Sequence, residues 1–431
     1  MKAFSPQVRY TLIVLPMALA ALLGILAGIA ALLSAATITD RPPLFLLAAL
    51  ASFCAVYSCG VMLVTRKVGI GHRRRARMLL FCAGAVFVGL FAWVALLPLG
   101  DEQFPPAPVA NQHLWEHPTG SRIAHVCLPA EGRACTVPVI FLHGGPGIPD
   151  MRGDARYFGQ LSREGFDVYV YELVGRGSSS RLDDPRDYTL ERDVRDLEEI
   201  RRKIGAERVI LVGHSYGGLI AAAYAASHPE RVSKMVLSSP EDASPAAGGA
   251  SMVFRLTTEE KISVYALLLP PRPMLAYALL QVNAEAAHAF AGDAEMDARF
   301  DRDYNRSRPA LHCRSKSPGP KLHGLGFYTH YYPQSAAREP HADFLPDLAG
   351  LDAPALVIKG SCDYLSWSSA QEYLRVLPDA RLSYLDGAGH NAYQDEPERY
   401  MEEVRAFLLV RRPLEAPYEG NRPPDDYEGP H

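Results

Sequence analysis

A surplus of either charge is missing: 44 Lys and Arg stand against 48 Asp and Glu over 431 residues, a formal net charge of −4. That balance offers none of the global basic excess with which a protein neutralises nucleic-acid phosphates, and no nucleic-acid partner is expected. Cysteine is sparse, seven residues with no Cys-x-x-Cys pair, so no zinc-type site, metal or cofactor is expected. Tryptophan is sparser still, three residues in all. No internal repeat is evident, which excludes a solenoid.

The most informative absence is local. Tyr10 to Ala36, Leu44 to Val64 and Met78 to Leu99 contain no Asp, Glu, Lys or Arg. Each exceeds the ~20 residues needed to cross ~30 Å of hydrocarbon as a helix. A cleaved signal peptide would account for the first stretch but not for the second and third. Residues 1–100 are therefore expected to form a three-helix membrane anchor. The N-terminus carries Lys2 and Arg9, the first link carries Arg41 balanced by Asp40, and the second carries Arg66, Lys67, Arg73, Arg74, Arg75 and Arg77. Basic loops stay cytoplasmic. The expected location is the plasma (inner) membrane, with a cytoplasmic N-terminus and everything after Leu99 outside. An RNA- or lipid-binding role for the arginine cluster competes with this reading, but topology already accounts for it.

Cys54, Cys59 and Cys82 fall within the apolar stretches, where a thiol is a small apolar group. Cys127, Cys135, Cys313 and Cys362 lie beyond them, an even number suited to an oxidising compartment. Cys127 and Cys135 flank a turn-like segment between two strand-like runs, so a bridge across that hairpin is one expectation. A Cys313–Cys362 bridge is left open.

Residues 101–116 read as a polar, Pro-containing linker. Beyond it, strand-like runs at Val137–Leu142, Phe166–Tyr171, Arg208–Val212, Lys234–Leu237, Ala355–Ile358 and Arg381–Leu385 alternate with helical patterns. Apolar runs spaced by helices predict a mainly parallel sheet covered on both faces. The clearest helix carries Leu190, Val194, Leu197, Ile200 and Ile204 at helical spacing. Others are expected over Gly217–Ser227 and from Pro397 to Val410. Residues 240–346 break the rhythm and read as an inserted cap. Residues 412–431, rich in proline and charge, read as a disordered tail.

Gly213-His214-Ser215-Tyr216-Gly217 lies between the strand Val-Ile-Leu-Val and the run Gly-Leu-Ile-Ala-Ala-Ala-Tyr. A strand–turn–helix with glycine two positions either side of a serine is the context of a nucleophile elbow. The turn lifts the hydroxyl above the sheet edge, near the positive end of the following helix. An ordinary strand-to-helix turn is the competing reading. Ser215 is the expected nucleophile, and a serine hydroxyl needs a base to take its proton. Asp363 follows the strand Ala355–Ile358, and His390 follows the strand ending at Leu385. Both sit past carboxyl ends of strands, in the order serine, acid, histidine. His390 is the expected base and Asp363 the group that fixes its tautomer. Asp386 lies on the wrong side of its turn for this order, and Glu241 and Asp242 hold a second position from which an acid can be supplied. His214 is expected to point into the elbow and His143 to support a loop.

His143-Gly-Gly-Pro-Gly147 follows the strand ending at Leu142. A glycine-rich loop there brings backbone N–H groups close to a developing oxyanion. Gly145 is the expected loop donor, with Gly144 as the alternative, and Tyr216 N–H is the second donor. A phosphate loop is the competing reading, but no Gly-Lys-Ser/Thr follows and there is no dinucleotide pattern.

At these residues the chain resembles the proline iminopeptidase branch of the α/β-hydrolases. His-Gly-Gly-Pro-Gly ahead of an elbow and a late Asp/His pair carry the likeness, and Glu172-Leu-Val-Gly-Arg-Gly-Ser-Ser179 is similar to that group's Asp-x-Arg-Gly-x-Gly-x-Ser loop. The resemblance covers roughly residues 120–410. It implies an α/β-hydrolase core over 117–239 and 347–411, a cap over 240–346, and attack on an acyl bond. Glu172 replaces the shorter acid, Val174 the arginine, and Tyr216 the tryptophan usual in that group, and the cap lacks its Trp-x-x-Trp-Glu pattern.

Three readings follow. The first is a peptidase-like serine hydrolase acting on a short peptide. The second is an esterase or lipase acting on small or lipid-derived esters, and the third a binding protein that keeps the fold. The expected partners are the substrate and the lipid bilayer. Phe327 to Tyr332 is an aromatic candidate lining for the pocket, and Glu241, Asp242, Glu259 and Glu260 are acidic ones; a packed cap helix and a solvated face compete with these readings. Asn305-Arg-Ser307 fits a glycosylation sequon.

Overall fold

The computed structural model describes residues 6–67, 73–96, 108–132, 135–145, 150–243, 252–313, 319–334, 343–414 and 416–430. They form two compact units, each described by itself. The first contains α1 (Pro6–Ala36), α2 (Pro42–Lys67) and α3 (Arg73–Leu96). These helices are long and apolar enough to cross a membrane, over Ile13–Ala36, Pro42–Arg66 and Arg77–Val94. α1 and α2 pack antiparallel, with Ala20 beside Gly60, Gly24 beside Phe53 and Gly28 beside Ala49. Small residues at such crossings let two backbones approach closely. Tyr57 Oη donates to the Leu80 carbonyl, joining α2 to α3. Outward-facing Leu15, Leu19, Leu79, Leu90 and Trp93 stay exposed. The end of the third expected span (97–99) and the start of the expected linker (101–107) lie outside the described residues.

The second unit is built on an eight-stranded sheet. Its strands are β1 (Gln112–Glu116), β2 (Arg122–Leu128), β3 (Val139–Leu142), β4 (Val168–Tyr171), β5 (Val209–His214), β6 (Val232–Ser238), β7 (Ala355–Gly360) and β8 (Ala380–Leu385). The spatial order is β1-β2-β4-β3-β5-β6-β7-β8. The β1–β2 and β2–β4 pairs are antiparallel, and every other pair is parallel. All six strand-like runs of the sequence are strands, because β3, β5 and β7 are buried along their whole length and only continuous apolar runs suit both-face burial. β1 was not anticipated. Its residues Gln-His-Leu-Trp-Glu are half-exposed at the sheet edge and lack an apolar run.

The helices are α4 (Met151–Phe158), α5 (Leu190–Ile204), α6 (Tyr216–Ser227), α7 (Thr258–Leu268), α8 (Pro271–Leu280), α9 (Ala284–Phe290), α10 (Asp293–Ser307), α11 (Phe327–Tyr331), α12 (Trp367–Val376), α13 (Ala392–Asp395) and α14 (Pro397–Leu408). α5 begins where Thr189 Oγ1 accepts the Arg192 N–H, and it stops at Gly205 in the left-handed region, both expected of helix ends. Phe158 of α4 and Tyr400, Val404 and Phe407 of α14 share one core with Phe141, Ile210 and Val212 on one face of the sheet. Ile140 and Leu211, alternate along β3 and β5, are equally buried on the other face. α7–α11 interrupt the alternation between β6 and β7, where the cap is expected. Within this insertion, Leu269–Glu295, which carries α8 and α9, belongs to the compact unit of α1–α3.

Two expectations are corrected. The hairpin cysteines are free: Cys127 sits in β2 opposite Tyr169, and Cys135 Sγ turns toward the Glu164 carbonyl. The disulfide joins Cys313 to Cys362, whose Cα atoms lie 5.1 Å apart. The tail is also not free. Trp367 packs edge-on against Tyr418 and Tyr427, Glu428 N–H donates to the Ser361 carbonyl (2.8 Å), and Trp367 N–H donates to the Pro430 carbonyl (2.8 Å). Aromatic burial and these hydrogen bonds hold a segment whose composition alone favours disorder.

Candidate active site

β5 ends in a turn that places Ser215 at φ 54° and ψ −120° before α6 starts at Tyr216. Non-glycine residues seldom occupy this region. The flanking glycines are required by contact: a Cβ on Gly213 would lie 2.3 Å from the Gly217 carbonyl oxygen, and one on Gly217 would lie 2.2 Å from the Leu142 carbonyl oxygen. The serine is buried, and its N–H donates to the Ser238 carbonyl on β6.

Asp363 and His390 come together from the loops after β7 and β8. His390 Nδ1 donates to Asp363 Oδ1 at 2.7 Å, and both side chains are almost fully buried. Glu241 and Asp242 do not take this position, nor does Asp386, whose Oδ1 faces Ser361 Oγ. The His214 side chain reaches the loop after β8, its Nε2 3.0 Å from the His390 carbonyl oxygen. Burial and the neighbouring His390 push its pKa down to about 3. Neutral His214 thus donates from Nε2 and ties the residue beside Ser215 to the backbone of His390.

The Tyr216 N–H, first in α6, has no intrahelical acceptor and no other acceptor among the described residues. Gly145 adopts φ 156°. Gly144 lies against the elbow, since a Cβ there would sit 3.0 Å from Ser215 Cβ. His143 holds the loop, with Nε2 accepting the Leu173 N–H (3.1 Å) and Nδ1 donating to the Gly144 carbonyl (2.8 Å). Burial lowers its pKa to about 3, consistent with a neutral ring. Pro146 and Gly147 lie outside the described residues.

Sequence reasoning missed three buried partners. Lys359, the next-to-last residue of β7, donates to Asp363 Oδ2 (2.8 Å), to the Leu365 carbonyl (3.1 Å) and to Ser369 Oγ (3.3 Å). Burial raises the Asp363 pKa, but Lys359 and His390 outweigh it and hold the carboxyl below the usual range. Asp193 accepts from Tyr216 Oη at 2.8 Å. Burial pushes its pKa up to about 7, against the pull of Arg176 and Tyr216. The buried Arg176 donates to both the hydroxyl and the carbonyl of Thr329. A signal for Asp193 was present: it lies three residues after Leu190 and four before Leu197, on the apolar stripe of α5. Glu172 is buried and accepts the Ser178 N–H at 2.7 Å, its pKa raised by burial to about 7.

Of the proposed lining residues, the aromatic run packs within the cap, Glu260 caps a helix, and Asp242 lies half-buried within electrostatic reach of Lys359 and Asp363. Phe327, Tyr328 and Tyr332 are buried within the cap. Glu260 Oε2 accepts from the N–H and hydroxyl of Thr257, closing a capping box at α7. Among the described residues, the atoms of Cys313, Cys362 and Glu428 converge as metal ligands would, but the two cysteines are joined in the disulfide.

Residues 137–397 match the family profile of the alpha/beta hydrolase fold. A proline iminopeptidase of Lactobacillus delbrueckii subsp. lactis is 25% identical over 281 residues, spanning 63% of this chain and 90% of the relative. The 1-acylglycerol-3-phosphate O-acyltransferase ABHD5 of Sus scrofa is 27% identical over 286 residues, spanning 62% of this chain and 76% of the relative. The crystal structure of a proline iminopeptidase from Mycobacterium smegmatis covers 69% of this chain and 98% of its own, at 21% identity and a TM-score of 0.45. With a profile match over more than half its length, this chain belongs to the alpha/beta hydrolase fold family and is a hydrolase.

Proposed function

We propose that the chain is a membrane-anchored serine hydrolase that cleaves an acyl bond through Ser215, His390 and Asp363. The observation that carries this reading is the 2.7 Å contact between His390 and Asp363, on the loops that follow β7 and β8. Ser215 Oγ attacks the acyl carbon while His390 Nε2 takes its proton, and Asp363 stabilises the imidazolium. The N–H groups of Tyr216 and Gly145 receive the oxyanion. Collapse passes the proton from His390 to the leaving group and leaves an acyl-Ser215 ester. Water, deprotonated by His390, then releases the acid and restores the serine.

The leading substrate is a short peptide, supported by the iminopeptidase relatives at 25% identity. A second reading, hydrolysis of lipid-derived or small esters, is favoured by the three apolar helices and the acyltransferase relative. The basic second link supports an inner-membrane protein with a cytoplasmic N-terminus and an outward-facing hydrolase domain. The Cys313–Cys362 disulfide suits the oxidising side.

A fluorophosphonate probe tests the enzyme reading on the reconstituted full chain. Labelling lost in Ser215→Ala is expected; absence of labelling in the folded wild type overturns the reading. Hydrolysis of proline arylamides beside acyl p-nitrophenyl esters separates the two substrates. Ester turnover with no amide turnover rejects the peptidase.

A further inference from the structure

We propose that the cap segment carrying α8 is a bilayer-contacting surface, seated in the lipid interface at one end of the three spans. The inference rests on the membrane-spanning reading of α1–α3 and extends it to a part of the insertion between β6 and β7.

Three observations carry it. First, α8 divides into two faces. Leu275, Ala276, Leu279 and Leu280 are at most 9% exposed, while Met274 and Tyr277, one turn apart, are 52% and 45% exposed. Leu269 before the helix and Val282 after it are 64% and 38% exposed. Residues 269–283 contain a single charged side chain, Arg272, and it is turned inward to pair with Glu295 at 2.7 Å. The outer face is therefore apolar without charge, a composition that marks an interaction surface.

Second, the segment is fastened to the ends of the spans. Asn283 Nδ2 donates to the carbonyl of Ala36, the last residue of α1 (2.8 Å), and Arg272 Nη1 donates to the carbonyl of Leu96, the last residue of α3 (2.7 Å). Helix ends leave such carbonyls without intrahelical partners, and a cation there complements the helix dipole. Phe290 meets Phe45, in the first turn of α2, with ring centroids 6.4 Å apart. The end of α1, the start of α2 and the end of α3 thus share one end of the bundle.

Third, the depth is right. The charge-free part of α3 starts after Arg77 and runs to Leu96, a length of roughly 28 Å at ~1.5 Å per residue, close to the ~30 Å of hydrocarbon. Leu96 then lies at the membrane boundary, and α8 with it. A tyrosine beside a methionine at that level matches the preference of amphipathic rings for the headgroup region. α8 packs against α1 and α3, whose outer residues are also exposed and apolar, so the occupant is the same lipid.

The test is tryptophan quenching of the full chain in nanodiscs made with acyl chains brominated near the headgroup or near the terminal methyl. In the wild type, quenching lost in Trp93→Phe reports whether α3 is in lipid. Tyr277→Trp, made on Trp93→Phe, is expected to add fluorescence that falls about twofold or more with brominated lipid, most strongly for bromine near the headgroup. Met274→Trp reads the same face should the first variant fail to fold. Quenching of Trp93 without quenching of either introduced indole overturns this inference and leaves the spans standing. Two copies per nanodisc with unquenched indoles would assign the face to a second copy instead. An unquenched Trp93 overturns the membrane-spanning reading, and this inference with it.

Discussion

Lys359 Nζ lies 2.8 Å from Asp363 Oδ2, and neither side chain has any solvent exposure. The other oxygen of the same carboxylate accepts from His390 Nδ1, so one buried anion is shared between a fixed cation and an imidazole. Removing one member of a buried pair costs about 3–5 kcal/mol because the other is left without compensation, whereas removing both can be nearly neutral. Asp363→Asn is expected to destabilise the fold by that order and to lower kcat by about 10⁴, the loss expected when the imidazole loses its orienting acid. Lys359→Met should lower kcat by roughly 10-fold or more, since it removes orientation without removing the acid. The double variant should regain most of the stability and none of the activity. Urea unfolding and ester turnover on the same preparations check this; additive stability losses would refute the coupling.

The same pair sets an acid limb. The folded pKa of Asp363 lies below its unfolded value of ~3.9, so the stability it contributes is complete above about pH 4 and is lost as pH falls further. In Lys359→Met the folded value rises toward or past the unfolded one, so this acid-side loss should shrink, read as thermal midpoints between about pH 2 and 6.

Asp193 carries the opposite sign. Its folded pKa of about 7 exceeds the unfolded value, so the native state binds the extra proton between about pH 4 and 7. This carboxyl therefore makes stability fall as pH rises through that window. Asp193→Asn should change the midpoint little at pH 4 and raise it at pH 8. A variant curve parallel to the wild type would show that the carboxyl does not titrate there.

Ser215 sits at φ 54°, where a side chain costs of the order of 1–3 kcal/mol. Ser215→Ala keeps that strain and should leave stability within about 0.5 kcal/mol of wild type. Ser215→Gly relieves it and should be about 1 kcal/mol more stable than the alanine variant, after the entropic cost of glycine. Chemical denaturation distinguishes them, and both should be inactive.

How far the sequence could be read follows from what each residue's neighbours are. The elbow was legible because Gly213 and Gly217 are demanded by backbone contacts within a few residues of Ser215 or one strand away. The three apolar helices were legible because composition alone dictates them. Lys359 was not, because a lysine ending the run Ala-Leu-Val-Ile reads as a turn until Asp363 folds back over it. The disulfide is hidden in the sequence for the same reason. Cys127 and Cys135 are near in sequence, but Cys313 meets Cys362 across a separation of 49 residues, which only the tertiary fold reveals.

That disulfide yields a further expectation. Closing a loop of this size stabilises a fold by about 2–5 kcal/mol when the bond is native. Cys313→Ser with Cys362→Ser should lower the thermal midpoint, and reductant should do the same to the wild type but not to the double variant. Equal sensitivity of both proteins to reductant would assign the effect elsewhere.

The segment from Tyr427 to Pro430 hydrogen-bonds to the loop that carries Asp363, through Ser361, Leu365 and Trp367. During translation these residues are made after Ser215, Asp363 and His390, so the loop stays without its final support until synthesis has passed Pro430. A chain that lacks these last residues therefore leaves the Asp363 loop without three of its hydrogen bonds.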